Sequence, residues 1–479
     1  MLKKVLIGGG AALGLLLAVL LLRALMATSI QVPVEPQTVA APDADAVARR
    51  LAESVRFPTM AKPEGQAYDA QPFLDFHAWI AATYPGLSGA LQREVHADHS
   101  LLYTWKGLDP DLPPILLLAH QDVVPVEEST LPDWEQPPFA GVVEGDWIWG
   151  RGTMDDKVSL VAILEAVEAL WTSGFRPKRT VMLAFGHDEE VSGVGARAMA
   201  AALRDRGLTF QFILDEGLAV THGIVPGLDQ PAALIGLAEK GYVTLDLTVA
   251  GEGGHSSMPP KHTAIGILAQ AITRLEANPM PAHMDGPMAR MFGALGPEMG
   301  FANKLVFANL WLLGPVVRGQ LEAGNSTNAS IRTTTAVTMI QGGVKENVLP
   351  QSATATVNHR IFPGETVEDV MRHVERAIDD SRITITPRGG FRSEPPPVSS
   401  TTSDGWAVVE RTVRQSFPDA VVAPGMSVGA TDARAYTGLS DSIYRFSPLR
   451  LHKDSHDTGR IHGTNERVSV ANYAEAVQF

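Results

Sequence analysis

The sequence predicts an α/β protein with a mostly parallel central sheet flanked by helices. Three short apolar runs, at residues 114–119, 181–185 and 210–214, have the length and continuity of strands that are buried on both faces. Helical patterns at 157–171 and 195–206 separate them. Strand and helix therefore alternate, as they do in parallel sheets with helical crossovers.

A second, smaller α+β unit is predicted within this domain. Its strands and helices follow the order β-α-β-β-α-β, which is typical of a ferredoxin-like sandwich. The strands are predicted at 242–250, 333–340, 352–361 and 383–387, and the helices at 263–276 and 366–378. An irregular insertion is expected near residues 280–325. Residues 396–479 again show the pattern of helices and buried strands. They are expected to complete the first domain, which begins at 46–241. The second unit, 242–395, would be inserted between these two parts.

The N-terminus predicts a membrane-spanning helix at residues 1–27. Lys3 and Lys4 precede 18 uncharged residues, Val5 to Leu22. Such a run reaches about 27 Å as a helix, close to the thickness of a bilayer core. We interpret it as an uncleaved signal anchor, with a cleaved signal peptide as the alternative. The two lysines would remain in the cytoplasm, so the folded domain is expected outside it: periplasmic, lumenal, or secreted if the segment is cleaved.

Residues 28–45 are expected to be a linker. They are rich in proline, alanine and valine, and include Pro33, Pro36 and Pro42. Proline-rich linkers are extended and semi-rigid. The sequence therefore predicts a spacer that lifts the folded part off the membrane. Before the first buried run, helices are predicted from Asp43 to Arg56 and from Phe73 to Tyr84.

Composition excludes several classes of function. The chain of 479 residues has 39 basic and 53 acidic side chains, which gives a net charge of −14, and no basic stripe is present. Nucleic acid is therefore not expected as a partner. The chain has no cysteine, so disulfides, thiolate zinc sites and a cysteine nucleophile are excluded. Any bound metal must use histidine and carboxylate ligands.

Five short segments carry histidine or carboxylate side chains at strand ends or tight turns. Because ligands gather at the carboxyl ends of parallel strands, these side chains are expected to converge on one metal site. Two divalent cations would be neutralised by three carboxylates and one hydroxide, with the histidines neutral. The segments are His120-Gln121-Asp122, Asp155-Asp156-Lys157, Asp188-Glu189-Glu190, Asp215-Glu216-Gly217 and Ile461-His462-Gly463.

Each segment taken alone has a simpler interpretation. A lone histidine is most often structural, an aspartate before a helix is often an N-cap, and three consecutive acids can form a solvated loop. His452 and His456 form a competing pair, since they lie four residues apart with Asp454 and Asp457 nearby. The joint occurrence of all five segments in one domain is what favours a metal site.

Together these motifs resemble the co-catalytic di-zinc peptidases and acylases, which include aminoacylase, acetylornithine deacetylase, succinyl-diaminopimelate desuccinylase, carboxypeptidase G and carboxypeptidase S. The carboxypeptidase S and N-fatty-acyl-amino-acid synthase/hydrolase branch is the most similar. The resemblance covers roughly residues 45–479. It rests on His120-x-Asp122-x-x-Pro125, Gly150-Arg151-Gly152-x-x-Asp155-x-Lys157, Asp188-Glu189-Glu190, Asp215 and His462.

The resemblance implies a role for each of these residues. One zinc would be bound by His120, Asp155 and Asp215, and the other by Asp155, Glu190 and His462. Cobalt or manganese could replace zinc. Asp122 would orient His120, Glu189 would be the general base, and the Asp155–Asp156 peptide would be cis.

For the inserted unit the resemblance implies a lid that can also form a homodimer. His255 would polarise the scissile carbonyl, and Asn347 and Arg360 would hold the substrate carboxylate. The loop at 429–434, with Thr431 and Asp432, would bind substrate, although Ala430 stands where many members have glycine.

The expected activity is hydrolysis, by metal-bound hydroxide, of the amide in N-acyl amino acids or short peptides with a free C-terminal carboxylate. Reversible synthesis of N-fatty-acyl amino acids is compatible with the same site. The alternative from another class is a membrane-tethered binding or scaffold protein that keeps the fold without the chemistry.

Overall fold

The computed structural model describes residues 2–36, 39–191, 193–390 and 392–479. Its main sheet has eight strands in the order β1-β2-β6-β3-β7-β16-β8-β15. These strands are β1 Gln92–His96, β2 Ser100–Trp105, β3 Ile115–His120, β6 Val181–Gly186, β7 Phe212–His222, β8 Ala232–Glu239, β15 Val421–Ser427 and β16 Ile443–His452. Strands β4 Val142–Glu144, β5 Trp147–Trp149 and β17 Arg467–Ser469 form a small separate sheet.

The main sheet is mixed rather than mostly parallel. Strand β3 pairs in parallel with β6 and β7, as do β16 with β7 and β15 with β8. The β1-β2-β6 edge and the β7–β8 pair are antiparallel. Only nine residues separate β7 from β8, and so short a connection joins antiparallel strands, because a parallel pair needs a longer crossover. The prediction missed this reversal.

Helices pack against both faces of the main sheet and bury its apolar runs. They are α2 Ala44–Val55, α3 Gln71–Thr83, α4 Pro85–Ala90, α5 Lys157–Thr172, α6 Val194–Asp205, α13 Asp404–Ser416 and α14 Val470–Gln478. Short 3-10 turns occur at Glu128–Asp133, Asp432–Tyr436 and Asp457–Gly459. Helices α5 and α6 match the two crossovers expected from the sequence.

The second unit contains an antiparallel sheet in the order β11-β13-β9-β14. Its strands are β9 Gly241–Ala250, β11 Thr334–Gly342, β13 Ser352–Ile361 and β14 Ile383–Pro387, and a two-stranded ribbon is formed by β10 Gly254–His255 and β12 Val348–Leu349. Helices α7 Ala264–Ala277 and α12 Val367–Ile378 share one apolar core with this sheet. The β-α-β-β-α-β order is the one that the sequence predicts.

The insertion is helical rather than irregular. It consists of α8 Gly286–Leu295, α9 Phe301–Phe307, α10 Leu310–Glu322 and α11 Asn325–Ile331, with a 3-10 turn at Gly296–Glu298. Its glycines and prolines obscured the helical pattern. Pro287 lies in the first turn of α8, where proline is tolerated, and Pro315 lies inside α10. Helix α8 packs against β15 at the edge of the main sheet.

Helix α1 spans Leu2–Met26, and its segment Leu6–Met26 is long and apolar enough to cross a membrane. The segment that follows is not a free spacer. The Gln31 side chain donates to the Val422 carbonyl and accepts from the Val422 N–H, both at 2.8 Å. Side chains of Arg414 and Gln478 donate to carbonyls further along the linker. The linker is therefore bound to the folded part by backbone groups at the β15 edge and by polar side chains of α13 and α14.

Candidate metal centre

Histidine and carboxylate side chains from separate parts of the chain meet at one edge of the main sheet. His120 is the last residue of β3, and Glu190 follows the neighbouring strand β6. Glu216 lies in β7 on the other side of β3. Asp155 comes from the turn before α5, and His462 from the loop after β16. Adjacent parallel strands end at the same edge, which is why residues so distant in sequence converge.

Asp155 lies between the two histidines. Its Oδ1 is 2.9 Å from His120 Nε2, and its Oδ2 is 2.9 Å from His462 Nε2. The Asp155–Asp156 peptide is cis. One carboxylate thus presents a separate oxygen to each imidazole, an arrangement that can bridge two cations.

A second carboxylate accompanies each histidine. Glu190 Oε1 is 3.0 Å from His462 Nε2, and Glu216 Oε1 is 3.3 Å from His120 Nε2. The structure therefore contains two sets that share Asp155: His120 with Glu216, and His462 with Glu190.

The structure does not bring Asp215, expected as a ligand, into this cluster. Asp215 Oδ1 accepts the Glu216 N–H at 2.9 Å, and Oδ2 accepts the Ala433 N–H at 2.7 Å. Successive residues of a strand point to opposite faces, so the carboxylate that faces His120 belongs to Glu216. Asp215 instead joins β7 to the loop that follows residue 430.

Asp122 supports the cluster in two ways. His120 Nδ1 is 2.9 Å from the backbone oxygen of Asp122 and 3.3 Å from its carboxylate. The same carboxylate accepts the N–H groups of Glu189 and Glu190, each at 3.1 Å. Asp122 therefore contacts the imidazole, mainly through its backbone oxygen, and its carboxylate holds the backbone that carries both glutamates. Asp188 is not part of the cluster; its carboxylate accepts the N–H groups of Val194 and Gly195 at the start of α6.

Burial and neighbouring charges shift the pKa values of the side chains in the cluster. Burial raises the pKa of Glu216 well above its usual range, and nearby Asp155 raises it further. Asp155 and Glu190 raise the pKa of His462 to about 10. Although burial opposes it, the neighbouring Glu216, Asp122 and Asp155 raise the pKa of His120 well above its usual range. A divalent cation bound by the same nitrogen and oxygen atoms would relieve the repulsion between these buried carboxylates.

The donor set fits zinc. Ligand atoms of His120, Asp155 and Glu190 lie within 4.8 Å of one another, as do those of His120, Glu189 and Glu216. Imidazole nitrogen and carboxylate oxygen are the donors that catalytic zinc sites use, at about 2.0–2.2 Å from the metal. The residues present therefore fit a metal site of this chemistry.

Glu189 lines a cavity of about 590 Å³ next to the cluster. Burial raises the pKa of its carboxyl well above the usual range, although nearby His120 lowers it. Tyr242 and Arg360 of the second unit line the same cavity, with the Arg360 guanidinium 4.8 Å from the Tyr242 ring centre. The cavity thus has a cationic side chain in one wall and the acidic cluster in another.

Two expected residues of the second unit lie outside this cavity. His255 is exposed in the β10–β12 ribbon, with its Nδ1 2.7 Å from Ser257 Oγ. Asn347 lies in the turn directly before β12, where its carbonyl accepts the Ser256 N–H. Neither lines the cavity in this arrangement of the chain.

Only one of the two expected substrate-binding residues in the 429–434 loop lines the cavity. Thr431 lines the cavity, and its N–H and hydroxyl both donate to Glu239, which is ion-paired with Arg445 at 2.8 Å. Asp432 is buried behind the loop and does not line the cavity. Its carboxylate lies against Gly186, where a Cβ would come within 2.1 Å of Oδ2. In this structure Thr431, and not Asp432, faces the cavity.

Arg151 and Glu466 support the site, and the sequence alone did not single out Glu466. Glu466 Oε1 accepts the N–H groups of Gly152 and Met154 at 2.9 and 2.7 Å. Its Oε2 is 2.6 Å from Arg151 Nη1, while Arg151 Nη2 donates to the carbonyls of His462 and Gly463. This buried pair fixes the turn that carries Asp155 against the loop that carries His462. The sequence did hold a signal for Glu466, because this acid lies four residues after His462.

Replacing Glu466 with glutamine should destabilise the protein. The change leaves the buried Arg151 without its ionic partner, and breaking such a pair costs about 3–5 kcal/mol. Chemical denaturation of the metal-loaded, detergent-solubilised protein measures it. The matched control is Glu368→Gln, which removes an exposed partner of Arg372 and should cost at most about 1 kcal/mol. Equal losses for the two variants would contradict the assignment.

The competing histidine pair takes no part in the cluster. His452 stacks on His222 with ring centres 4.1 Å apart. His456 has a left-handed backbone and precedes a 3-10 turn. Among the described residues, neither histidine belongs to a group of side chains that could hold a metal ion.

A sequence model of the peptidase family M20/M25/M40 matches residues 116–479. The chain belongs to the M20 peptidase family. It is 42% identical over 438 residues to a probable carboxypeptidase S-like 2 of Dictyostelium discoideum, covering 90% of this chain and 83% of the relative. It is 43% identical over 434 residues to the N-fatty-acyl-amino acid synthase/hydrolase PM20D1 of Xenopus tropicalis, again covering 90% and 83%. Carboxypeptidase S of Saccharomyces cerevisiae is 35% identical, covering 90% and 82%.

Solved structures agree with this fold. An M20 family metallo-carboxypeptidase of Sulfolobus solfataricus, Sso-CP2, superimposes with a TM-score of 0.64 at 16% identity, covering 91% of this chain and 97% of that one. Human carnosine dipeptidase 1 gives 0.61 at 15% identity, covering 91% and 94%. The family resemblance stated from the motifs is confirmed. The protein is an M20 metallopeptidase or amidohydrolase, close to carboxypeptidase S and PM20D1, and not the non-catalytic binding protein of the alternative interpretation.

Proposed function

We propose that this protein hydrolyses the amide bond of N-acyl amino acids or short peptides that carry a free C-terminal carboxylate. The observation that supports this most is the position of Asp155 between His120 and His462, in a cavity shared with Glu189 and Arg360. A two-cation site, a base and a carboxylate-binding cation are the parts that such a reaction requires.

Two zinc ions, or cobalt or manganese ions, would be held in two sets. His120, Asp155 and Glu216 form one, and His462, Asp155 and Glu190 form the other. Glu216 therefore replaces Asp215 in our assignment. When bound, the ions supply a water of lowered pKa and polarise the substrate carbonyl.

The remaining steps fall to side chains of the chain itself. Glu189 takes a proton from the attacking water at its carboxylate oxygen. As the C–N bond breaks, Glu189 returns this proton to the amine nitrogen, so that a free amino acid leaves. General bases work best when their pKa lies near the working pH; binding of the cations would lower the pKa of Glu189 from the high value that burial imposes on it.

The second unit is proposed to act as a lid. Arg360 already faces the cavity and would bind the substrate carboxylate. His255 lies on the exposed β10–β12 ribbon and Asn347 directly before it, so they would reach the substrate only if this unit closed or if a second copy supplied them. Closure of this kind is a common step in enzymes that exclude water.

Two versions of the proposal differ in the acyl group of the substrate. One relative is named carboxypeptidase S and another N-fatty-acyl-amino acid synthase/hydrolase. We favour N-acyl amino acids, because an anchored enzyme meets lipid-derived substrates at the membrane. The same site could catalyse synthesis when acyl donor and amine are abundant. Helix α1 would anchor the enzyme with its catalytic part outside the cytoplasm.

Purified protein should release free amino acid from a panel of N-acyl amino acids and dipeptides. Treatment with a chelator should abolish the release, and addition of two equivalents of Zn²⁺ per chain should restore it, because the proposed site shares one carboxylate between two ions. Metal analysis and amino acid detection measure both effects. Full release in the metal-free protein would contradict the proposal.

Replacing Arg360 with alanine should lower kcat/KM for substrates with a free carboxylate. A hydrogen bond to a charged group is worth about 1.5–3 kcal/mol, which corresponds to roughly 10–150-fold. The effect should appear mainly in KM and should be absent for the same substrates as C-terminal carboxamides. Arg372→Ala is the control, since Arg372 is exposed on α12 of the same unit. An equal loss for acid and amide substrates would contradict carboxylate binding by Arg360.

A further inference from the structure

Part of the helical insertion exposes large apolar side chains. Residues 305–317, from the end of α9 into α10, contain no charged side chain. The exposed fractions of Phe301, Trp311 and Val316 are 55%, 58% and 61%. A helix that is apolar on most of its circumference is normally buried in a core or a membrane, and exposed apolar patches mark interaction sites.

This surface adjoins helix α1. The Arg23 Nε donates to the Ala308 carbonyl at 3.0 Å, and Asn309 Nδ2 donates to the Leu20 carbonyl at 3.0 Å. Ala24 is buried in the contact. The α9–α10 junction is therefore bound to the last turns of the apolar segment Leu6–Met26.

The position of this contact sets its depth in a membrane. Leu20 is six residues before Met26, or about 9 Å along the helix axis. If Leu6–Met26 crosses the bilayer, the α9–α10 junction lies at the boundary between acyl chains and headgroups. Tryptophan is enriched at that boundary. Residues 299–321 contain no acidic side chain, and Lys304 and Arg318 flank the uncharged stretch, as suits a surface beside lipid phosphates.

The linker keeps the domain in this position. Gln31 is bound to both backbone groups of Val422 in β15, while α8 packs against the same strand. The anchor and the insertion are thus held to one strand of the main sheet. The folded part cannot move far from α1 without breaking these contacts.

We propose that α9 and the N-terminal part of α10 form a membrane-docking surface that seats the catalytic domain directly on the bilayer. Its occupant is the lipid surface around α1, with Phe301, Trp311 and Val316 among the acyl chains nearest the headgroups. This inference goes beyond the proposed activity, and it requires that α1 is inserted as an anchor.

The absence of cysteine from the chain allows a direct test. Full-length Trp311→Cys and Val316→Cys variants would be labelled with a fluorophore that is sensitive to polarity and reconstituted in phosphatidylcholine and phosphatidylglycerol vesicles. Lipids brominated at shallow acyl positions quench only a label that contacts them. We expect blue-shifted emission and loss of fluorescence at both positions.

Val344→Cys is the matched control. Val344 is 95% exposed and lies just beyond β11, at the end of that strand away from α11. Its label should keep the emission of a water-exposed probe and lose no fluorescence to brominated lipid. A cooperative thermal unfolding transition like that of the unlabelled protein shows that each labelled variant is folded, and Leu312→Cys replaces any variant that is not.

Three results would overturn the proposal. Labels at 311 and 316 could behave like the label at 344, which would place the surface in water. They could be shielded without quenching by lipid, which would indicate a second copy or another protein as the occupant. The chain could fail to insert through α1. None of these results depends on hydrolysis, so they are distinguishable from failure of the proposed function.

Discussion

Replacing Glu189 with glutamine is expected to reduce kcat by about 10²–10⁴-fold, the usual contribution of a general base. The amide keeps the size of the side chain but cannot take a proton from water. Glu189 belongs to neither of the two proposed ligand sets, so both cations should stay bound. Steady-state kinetics and metal analysis of the same preparation measure the two effects.

Glu128→Gln is a suitable control for this change. Glu128 is exposed in the 3-10 turn at Glu128–Asp133, outside the cavity lining. Its replacement should leave both turnover and metal content unchanged. Loss of metal along with turnover in Glu189→Gln would make Glu189 a ligand, and retained turnover would remove it from the reaction altogether.

Replacing Glu216 with glutamine should cost one bound cation per chain and abolish turnover. Glu216 Oε1 is 3.3 Å from His120 Nε2, and the amide is a poor metal ligand compared with a carboxylate. The other ion, held between His462 and Glu190, should bind more tightly than the ion that is lost and should remain after dialysis. Zinc content after dialysis distinguishes one equivalent from two.

Asp215→Asn provides the matched comparison, because it makes the same kind of change one residue away. Asp215 already accepts hydrogen bonds from two backbone N–H groups, and an amide oxygen can keep one of them. We expect a loss of stability with two cations still bound. The opposite pattern, in which Asp215→Asn loses an ion and Glu216→Gln keeps both, would restore the assignment made from the sequence.

The contrast between these two residues shows where sequence reasoning fails. The motif places two acids after a buried apolar run, and nothing in the residue order says which of them faces His120. That choice depends on the pleat of β7 and on its pairing with β16, whose register shifts between Asp215 and Leu218. Adjacent strand residues point to opposite faces, so a one-residue difference exchanges a ligand for a structural carboxylate.

The linker gives a second example. Its prolines predict an extended segment, and its composition also suggested a free spacer. Binding to Val422 depends on an unpaired edge of β15, a strand that lies about 390 residues further along the chain. The composition of a segment describes its own stiffness and says nothing about a distant partner.

The sequence by itself determined the alternation of buried strands and helices, the β-α-β-β-α-β order of the second unit and the family, because periodicity and local motifs are properties of neighbouring residues. It also named His120, Asp155, Glu190 and His462, which the structure brings together. Only the tertiary structure decided that Glu216 rather than Asp215 faces His120, that Glu466 holds the two loops of the site, and that α1 lies against the insertion. Each of these depends on strand register or on contacts between distant segments, which arise only when the chain is packed.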